Sequence, residues 1–398
     1  MRSMASLLVL AAGLSAAPYA HDPKAAEEFR PRDGLANVFA KIQAGGEVRV
    51  AYLGGSITAA NGWRPKTMAW FRQQFPGATF VEINPAISGT GSDYSACRLQ
   101  TDVLAQQPDL VFLECRVNGG GGYERQSVEG VVRQVWRQNP RTDICFVYTI
   151  SLGMLKDIQA GRQTGFGTVM ETIANRYGIP TIDLGVEIAR REQAGSLVFK
   201  AADPVEGKLV FSKDGVHPGD AGHQVYCEVV ARSFLAMQDR ATSVNHELGE
   251  PLVADCWETA TLLPIAQTRL SAGWVPVDMA ADTVYREDFG RTKGMLREAV
   301  KCSQAGETIT VRWHGTTLGF SDIPHGGTIV VAVAVDGGEP IVRERVQTEA
   351  IRRYARFWYL PALPPGEHEA VLTVRSIPEG AACYAGHVLV VGTPLPPR

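Results

Sequence analysis

The chain has 398 residues, 45% of them apolar and 20% charged, with a net charge of −3 and a pI near 6.3. Single hydrophobic cores stop growing at roughly 250–300 residues, so this length predicts two domains. The small negative charge, without any run of Lys or Arg, argues against a nucleic-acid partner.

The N-terminus has the pattern of an export signal. Arg2 precedes an apolar run at 7–12, and small residues follow at 15–17 and at Ala20. The run is shorter than the ~20 residues that a membrane span needs. It predicts a signal peptide over residues 1–20 and a secreted or periplasmic protein without an integral membrane segment after signal removal. A frayed helix or an uncleaved anchor is the alternative.

The cysteines indicate neither a zinc site nor a redox motif. There are seven, so one stays unpaired if the others are bridged in an oxidising compartment, and none has Cys-x-x-Cys spacing. A bridge within the C-terminal half, such as Cys302 to Cys383, is one option among several.

The first 240 residues alternate predicted strands and helices. The predicted strands are 48–54, 79–84, 110–118, 144–148 and 180–183, and the predicted helices are 65–75, 93–106, 128–136, 166–177 and 221–237. Alternation at this spacing is typical of βα units and predicts an α/β domain over residues 21–240, with a parallel sheet covered by helices on both faces.

The pattern changes after residue 240. Residues 241–254 are polar and without periodicity, which predicts a linker. Short β-rich runs follow at 308–313, 328–335, 355–360, 368–374 and 386–391, separated by turn signals such as Asp336-Gly337-Gly338. They predict an antiparallel β-sandwich or jelly roll over residues 255–398.

Two motifs carry residues suited to chemistry. Ser56 follows Gly54 and Gly55 at the end of a buried strand, and open parallel sheets place their chemistry at such ends. Asp214 stands three residues before His217, a spacing that can place a carboxylate beside an imidazole. The alternatives are a serine cap of an ordinary strand-to-helix turn, and a metal pair or a plain Asp-Gly turn with an exposed histidine.

Together these motifs resemble the SGNH (GDSL-type) hydrolases. Four blocks occur in the family's order: Gly-Gly-Ser-Ile-Thr at 54–58, Ile-Ser-Gly-Thr-Gly at 87–91, Val-Asn-Gly at 117–119 and Asp-Gly-Val-His-Pro at 214–218. The resemblance covers residues 48–237 and implies a flavodoxin-like three-layer fold, with the β-sandwich lying outside it.

The resemblance also implies the roles of the site residues. Ser56 would be the nucleophile, His217 the base and Asp214 the carboxylate that orients it, in a reaction that needs no metal or organic cofactor. The oxyanion hole would consist of the backbone N–H groups of Ser56 and Gly89 and the side-chain amide of Asn118, which are preorganised donors of the kind that acyl transfer requires.

The chain departs from the family pattern at two positions. Gly55 replaces the usual Asp of the serine block, and Gly119 replaces the usual Asp after the block asparagine, opening a run of four glycines. That run either lets a bulky substrate approach Asn118 or forms a flexible connection, and the second interpretation is the one we favour. It is not a phosphate cradle, since no Gly-Lys-Ser/Thr follows.

Three further residues are candidates for substrate contact because they follow predicted strands or lie in loops: Trp63, Arg98 and Arg116. Trp63 could stack on a sugar ring, although most such residues are simply packed, and Arg116 could instead form a structural ion pair with Glu114.

The sequence therefore predicts a serine esterase that removes ester groups, with O-acetyl groups on a carbohydrate or polysaccharide as the expected substrate. The choice of this substrate follows from the predicted secretion and the appended β-sandwich, by analogy of architecture. The β-sandwich would either bind glycan or brace the first domain. The alternatives are a lipolytic esterase or an acyltransferase of the same fold, and a non-catalytic glycan-binding protein.

Overall fold

The structure is a computed structural model that describes residues 19–289, 294–346 and 356–397. The predicted signal peptide falls, except for its last two residues, on 1–18, outside the described residues. The strands are, in chain order, Phe29–Arg30 (β1), Glu47–Gly54 (β2), Thr79–Ile83 (β3), Leu110–Glu114 (β4), Asp143–Tyr148 (β5), Thr181–Asp183 (β6), Leu197–Lys200 (β7), Leu209–Ser212 (β8), Ala260–Pro264 (β9), Arg269–Leu270 (β10), Val275–Pro276 (β11), Val300–Cys302 (β12), Thr308–His325 (β13), Ile329–Val335 (β14), Ile341–Arg345 (β15), Arg356–Tyr359 (β16), Gly366–Ser376 (β17) and Ala382–Leu395 (β18).

The helices are Ala36–Gln43 (α1), Ser56–Ala59 (α2), Trp63–Gln74 (α3), Ser92–Asp102 (α4), Glu124–Gln138 (α5), Leu155–Gln159 (α6), Gly165–Tyr177 (α7), Leu184–Gln193 (α8), Asp220–Leu235 (α9) and Thr283–Asp288 (α10). Across the described ranges, no helix combines the length and the apolar character that crossing a bilayer requires.

The first domain is built on a six-stranded sheet in the order β1-β6-β5-β4-β2-β3. All neighbours are parallel except the short edge strand β1. Alternate residues of β2 point into two different apolar cores. Leu53 lies in the core between the sheet and helices α4, α5 and α7. Tyr52 lies in the core between the sheet and helices α1, α3, α8 and α9. This alternation follows from the two-residue period of a strand, and it confirms the predicted three-layer fold.

The C-terminal β-domain, residues 260–397, is a ten-stranded antiparallel sheet, which confirms the predicted all-β class. Its long strands β13 and β18 pair along most of their length, with irregularities after Gly315 and Ser321. On its other edge β13 pairs first with β17 and then with β16. The strands enclose an apolar core of their own, separate from those of the first domain.

The β-domain packs against α4 and α5 of the first domain. Tyr94 stacks on Phe357 with 4.8 Å between ring centroids, and Tyr123 meets Tyr359 edge-on at 5.5 Å. An ion pair of 3.1 Å joins Arg297 to Asp102. One continuous apolar cluster therefore contains residues of both domains, and the β-domain lies beside the helices that follow the site loops.

Three local features differ from the sequence-based expectation or extend it. The third strand ends at Glu114 instead of reaching Asn118, because the chain turns at Cys115, whose carbonyl accepts the N–H groups of Asn118 and Gly119. The parallel pair of β7 and β8 was not predicted. Cys302 lies directly opposite Cys383 on β12 and β18, and both are free thiols.

Candidate active site

The strand that leads to Ser56 ends in two glycines that the surrounding structure requires. A Cβ on Gly54 would lie 2.8 Å from the carbonyl oxygen of Glu114, and one on Gly55 would lie 2.0 Å from Oδ1 of Asn118. Both distances are shorter than a carbon atom tolerates. The glycine at position 55, where the family usually has Asp, is thus explained by the side chain of Asn118, which occupies that space.

The structure brings Ser56, His217 and Asp214 into one chain of hydrogen bonds. Ser56 Oγ lies 2.8 Å from His217 Nε2, and His217 Nδ1 lies 2.7 Å from Asp214 Oδ2. Ser56 is the first residue of α2, whereas the other two lie in the turn after β8, where Gly215 has a φ of +89°. This left-handed conformation costs a glycine little and lets the turn close tightly.

The second carboxylate oxygen of Asp214 fixes the turn that carries His217. Oδ1 accepts the backbone N–H groups of Val216 and His217, each at 2.8 Å, and the hydroxyl of Ser212 at 3.0 Å. Burial opposes ionisation, but these bonds and the one from the His217 ring hold the pKa of Asp214 far below its usual value. An ionised Asp214 accepts a hydrogen bond from Nδ1–H, which keeps the ring proton on Nδ1 and leaves Nε2 free to accept the proton of Ser56.

The three blocks expected to stabilise an oxyanion adjoin one another. The N–H of Ile87 donates to the Gly54 carbonyl at 3.1 Å, which ties the loop of Gly89 to the end of β2. Gly89 is exposed with a φ of +77°, and the exposed Asn118 lies against Gly55. The loops that carry Gly89 and Asn118 therefore both meet the turn that carries Ser56.

The glycine run at 119–122 forms a turn that contacts the loop at 91–93. The Gly119 carbonyl accepts the N–H of Ser92 at 2.9 Å, and a Cβ on Gly91 would lie 2.1 Å from the same oxygen. A Cβ on Gly121 would lie 2.5 Å from the carboxylate of Asp93, which is 2% exposed. Close approach accounts for Gly91 and Gly121. A Cβ on Gly119 or Gly122 would meet nothing within 4 Å, but their φ angles of +77° and +92° favour glycine.

We expect Asn118→Ala to lower kcat for ester hydrolysis by about 10²–10³-fold with a smaller change in KM, because it removes the amide that the family resemblance assigns to the oxyanion hole. Asn139→Ala is a control, since Asn139 caps the distant end of α5. Initial rates with 4-nitrophenyl acetate measure both parameters. A kcat within threefold of the unmodified enzyme would exclude Asn118 as an oxyanion donor.

The three candidates for substrate contact do not line the site, so that prediction is wrong. Trp63, Arg98 and Arg116 are each at most 1% exposed. Trp63 packs edge-on against Tyr52 at 5.1 Å. The sequence places these residues after strands or in loops, but it does not tell which side chains point beneath the helices.

The two buried arginines have structural partners instead. Arg116 pairs with both carboxylate oxygens of Asp183, at 2.5 and 2.8 Å, and not with Glu114. Arg98 pairs with Asp102 at 3.1 Å and also donates to the Pro85 carbonyl. Desolvation opposes a buried charge unless it is paired, which explains why each arginine is bonded within the first domain.

Leu152, which is not among the residues predicted from the sequence, lies at the rim of the site. Its side chain is 44% exposed, and its N–H donates at 2.8 Å to Gly215, between Asp214 and His217. Its position shortly after the predicted strand 144–148 was the feature of the sequence that could have identified it as a residue near the site. Within the described ranges, no cluster of three or more His, Cys, Asp or Glu side chains is arranged to hold a metal ion.

Comparison with known proteins supports the fold and the family of the first domain. Residues 52–225 match the GDSL-like lipase/acylhydrolase family, which confirms the resemblance drawn from the four blocks. A search of curated proteins gives no match.

Two similar solved structures are those of a two-domain esterase active on acetylated mannans. The structure crystallised with mannopentaose is 20% identical, with a TM-score of 0.75 over 93% of this chain and 97% of that one. A second structure of a two-domain esterase active on acetylated mannans is 19% identical, with a TM-score of 0.76 over 93% of this chain and 98% of that one. At this identity the likeness establishes a shared two-domain fold.

Proposed function

We propose that the protein is a serine esterase that removes O-acetyl groups from a carbohydrate. Its first domain matches the GDSL-like lipase/acylhydrolase family. The observation that carries the proposal is the chain of hydrogen bonds from Ser56 through His217 to Asp214. A nucleophile, a base and an orienting carboxylate in this order are what acyl transfer through a covalent intermediate requires.

In the proposed reaction, Ser56 Oγ attacks the acetyl carbonyl while His217 Nε2 takes the hydroxyl proton. The oxyanion is bound by the N–H groups of Ser56 and Gly89 and by the amide of Asn118. The tetrahedral intermediate collapses and expels the sugar oxygen, which takes the proton from His217 and becomes a free hydroxyl, and an acetyl-Ser56 ester remains. Water, deprotonated by His217, then releases acetate and restores the serine.

The exposure of the site favours a large substrate. The side chains of His217 and Asp214 are 46% and 56% exposed, so a polymer can lie across the site without entering a tunnel. The esterase of the same two-domain fold is active on acetylated mannans, which supports a glycan as the substrate here.

The β-domain supplies part of a cavity near the site loops, which supports a role in holding the polymer. The cavity has a volume of about 400 Å³ and is lined by Tyr123 and Gly121 of the first domain and by Arg343 and Trp358 of the β-domain. Aromatic rings and guanidinium groups are the surfaces on which sugar rings and hydroxyls are commonly bound.

The test of the proposed function is acetate release from a panel of acetylated mannan, xylan and pectin, beside 4-nitrophenyl octanoate and an acetylated sugar mixed with free acceptor sugar. We expect release from at least one glycan at a kcat/KM at least tenfold above that for the octanoate. Octanoate as the better substrate would indicate the lipolytic alternative, and transfer to the acceptor would indicate an acyltransferase. Absence of turnover with every substrate would indicate the third alternative, a non-catalytic glycan-binding protein.

We expect Arg343→Ala to raise KM for the acetylated polymer several-fold and to leave turnover of 4-nitrophenyl acetate unchanged, because only a long substrate reaches the interdomain cavity. Arg375→Ala is the matched control, since Arg375 is an exposed arginine of β17 that does not line this cavity. Equal KM values for the polymer in both variants would exclude this cavity as a binding region.

A further inference from the structure

Glu114 is a buried carboxylate directly behind the Ser56 turn that the proposed reaction does not use. It is the last residue of β4 and is 1% exposed. Its Oε2 accepts the Thr58 hydroxyl at 2.9 Å, and its Oε1 accepts the Thr149 hydroxyl at 2.7 Å. Its carboxylate thus joins α2, which begins with Ser56, to the loop after β5.

The carboxylate is satisfied by hydrogen bonds and not by an ion pair. Burial raises the pKa of Glu114, while the hydroxyls of Thr149 and Thr58 and the backbone N–H of Gly55 act against that rise. Arg116 stands two residues along the chain, but its guanidinium is bonded to Asp183. A buried carboxylate without a paired cation is costly, so its donors must be well placed for it to persist.

Backbone hydrogen bonds of the turn set the direction of the Ser56 N–H, and Glu114 packs against this turn. The Gly55 carbonyl accepts the Ala59 N–H at 2.9 Å, and the Gly54 carbonyl accepts the N–H of Ile87 at 3.1 Å. The peptide bond between Gly55 and Ser56 is planar, so holding its carbonyl also orients the Ser56 N–H. Glu114 holds the remaining side of the turn through the hydroxyl of Thr58, two residues after Ser56.

The same contact explains why residue 54 must be glycine. A Cβ at that position would lie 3.0 Å from Glu114 Oε2 and 2.9 Å from the hydroxyl of Thr58. The turn and the carboxylate are therefore packed against each other without room for a methyl group. A shift of Glu114 would be transmitted directly to the backbone that carries the nucleophile.

We propose that Glu114 is a positioning residue of the esterase, whose carboxylate holds the turn at residues 54–56 so that the Oγ and the N–H of Ser56 face the same substrate carbonyl. The proposal rests on the proposed esterase function. A positioning role differs from a purely structural one. In a structural role, loss of Glu114 would reduce the stability of the fold, but correctly folded enzyme would hydrolyse substrate at the normal rate.

The test compares Glu114→Gln with the parent enzyme by kcat, KM and the thermal midpoint, with kcat calculated per active site from titration with a fluorophosphonate. Gln keeps the volume but offers one acceptor oxygen and one donor in place of two acceptors. We expect kcat per titrated site to fall about 10–100-fold and KM to stay within twofold, because the reacting geometry changes more than the binding surface.

Asp143→Asn is the matched control for the loss of a buried carboxylate. Asp143 is 0% exposed and lies at the amino end of β5, at the end of the parallel strands opposite to Glu114, where it accepts the Val38 N–H at 2.8 Å and pairs with His246. We expect it to lower the thermal midpoint while kcat per titrated site stays within twofold. If Glu114→Gln behaves in the same way, Glu114 is only structural and the proposal is overturned.

A second variant keeps the proposal testable if Glu114→Gln does not fold. Thr58→Val removes one donor to the carboxylate without burying a new charge, and it should lower kcat per titrated site at least threefold with KM unchanged. Full turnover in Thr58→Val would overturn the proposal in that case. Failure of the esterase function itself is separate, because it would appear as absence of ester turnover in the parent enzyme before any variant is compared.

Discussion

Ser56→Ala is expected to lower kcat for acetyl-ester hydrolysis by about 10⁵-fold, with the thermal midpoint close to that of the parent enzyme. Removal of the nucleophile of a hydrogen-bonded triad abolishes the covalent route, and only the slow attack of water held by the oxyanion donors remains. Ser56 Oγ is bonded to His217 Nε2 and only partly buried, so the loss of one hydroxyl should disturb the fold little.

The measurement is initial-rate hydrolysis of acetylated glycan and of 4-nitrophenyl acetate, with binding followed separately. Ser233→Ala is the matched control, since its hydroxyl is buried in α9 without a hydrogen-bond partner in the part of the chain that the structure describes. It should retain full activity. Residual activity above about 1% in Ser56→Ala would show that another group is the nucleophile.

Asp214→Asn is expected to lower kcat at neutral pH by about 10⁴-fold while the site keeps its shape. The amide oxygen can still accept the N–H groups of Val216 and His217, which hold the turn. Its NH₂ group, however, would donate to Nδ1 of His217 and leave the ring proton on Nε2. That tautomer cannot take the proton of Ser56, so the base is lost although the imidazole stays in place.

Steady-state rates at pH 7–8, together with the rate of labelling by a fluorophosphonate, test this expectation. Both should fall, because both depend on the activated serine. Ser212→Ala is the control, since it removes one hydrogen bond of 3.0 Å to Asp214 and leaves the carboxylate, and its kcat should stay within about tenfold. Similar losses in the two variants would mean that the carboxylate has no separate role.

The structure also changes how the β-domain should be tested. Removal of all residues after Met237 would expose Tyr94, Tyr123 and the rest of the shared apolar cluster, and it would also remove the Arg297 partner of Asp102. Loss of activity in such a truncation would report unfolding as readily as loss of glycan binding. Point changes in the interdomain cavity, such as Arg343→Ala, separate these effects.

The fold class could be predicted from the sequence because it depends on local pattern. Fully buried runs such as β4 and β5, alternating with helical periodicity, determine a parallel sheet, and turn signals between short β-rich runs determine an antiparallel one. The end of β4 was misplaced because Cys115 and Val117 continue the alternating apolar pattern of a strand while the backbone already turns.

The candidate site was predictable to the level of loops. Ser56, Gly89, Asn118 and His217 each follow a strand or stand in a recognisable block, and parallel strands bring such loops to one edge of the sheet. Which side chains face the site was not predictable. Trp63 lies seven residues after Ser56, yet it points into the core against Tyr52.

The sequence by itself therefore determined the two domain classes, the order of the four blocks and the loops on which the nucleophile, the base and the orienting carboxylate are expected. Only the tertiary structure decided what surrounds them. Asn118 fills the space beside Gly55, Glu114 lies behind Gly54, and the β-domain packs beside the loop at 119–122. These contacts join segments about 60 to 240 residues apart, so they depend on how the strands pack together and not on any local pattern.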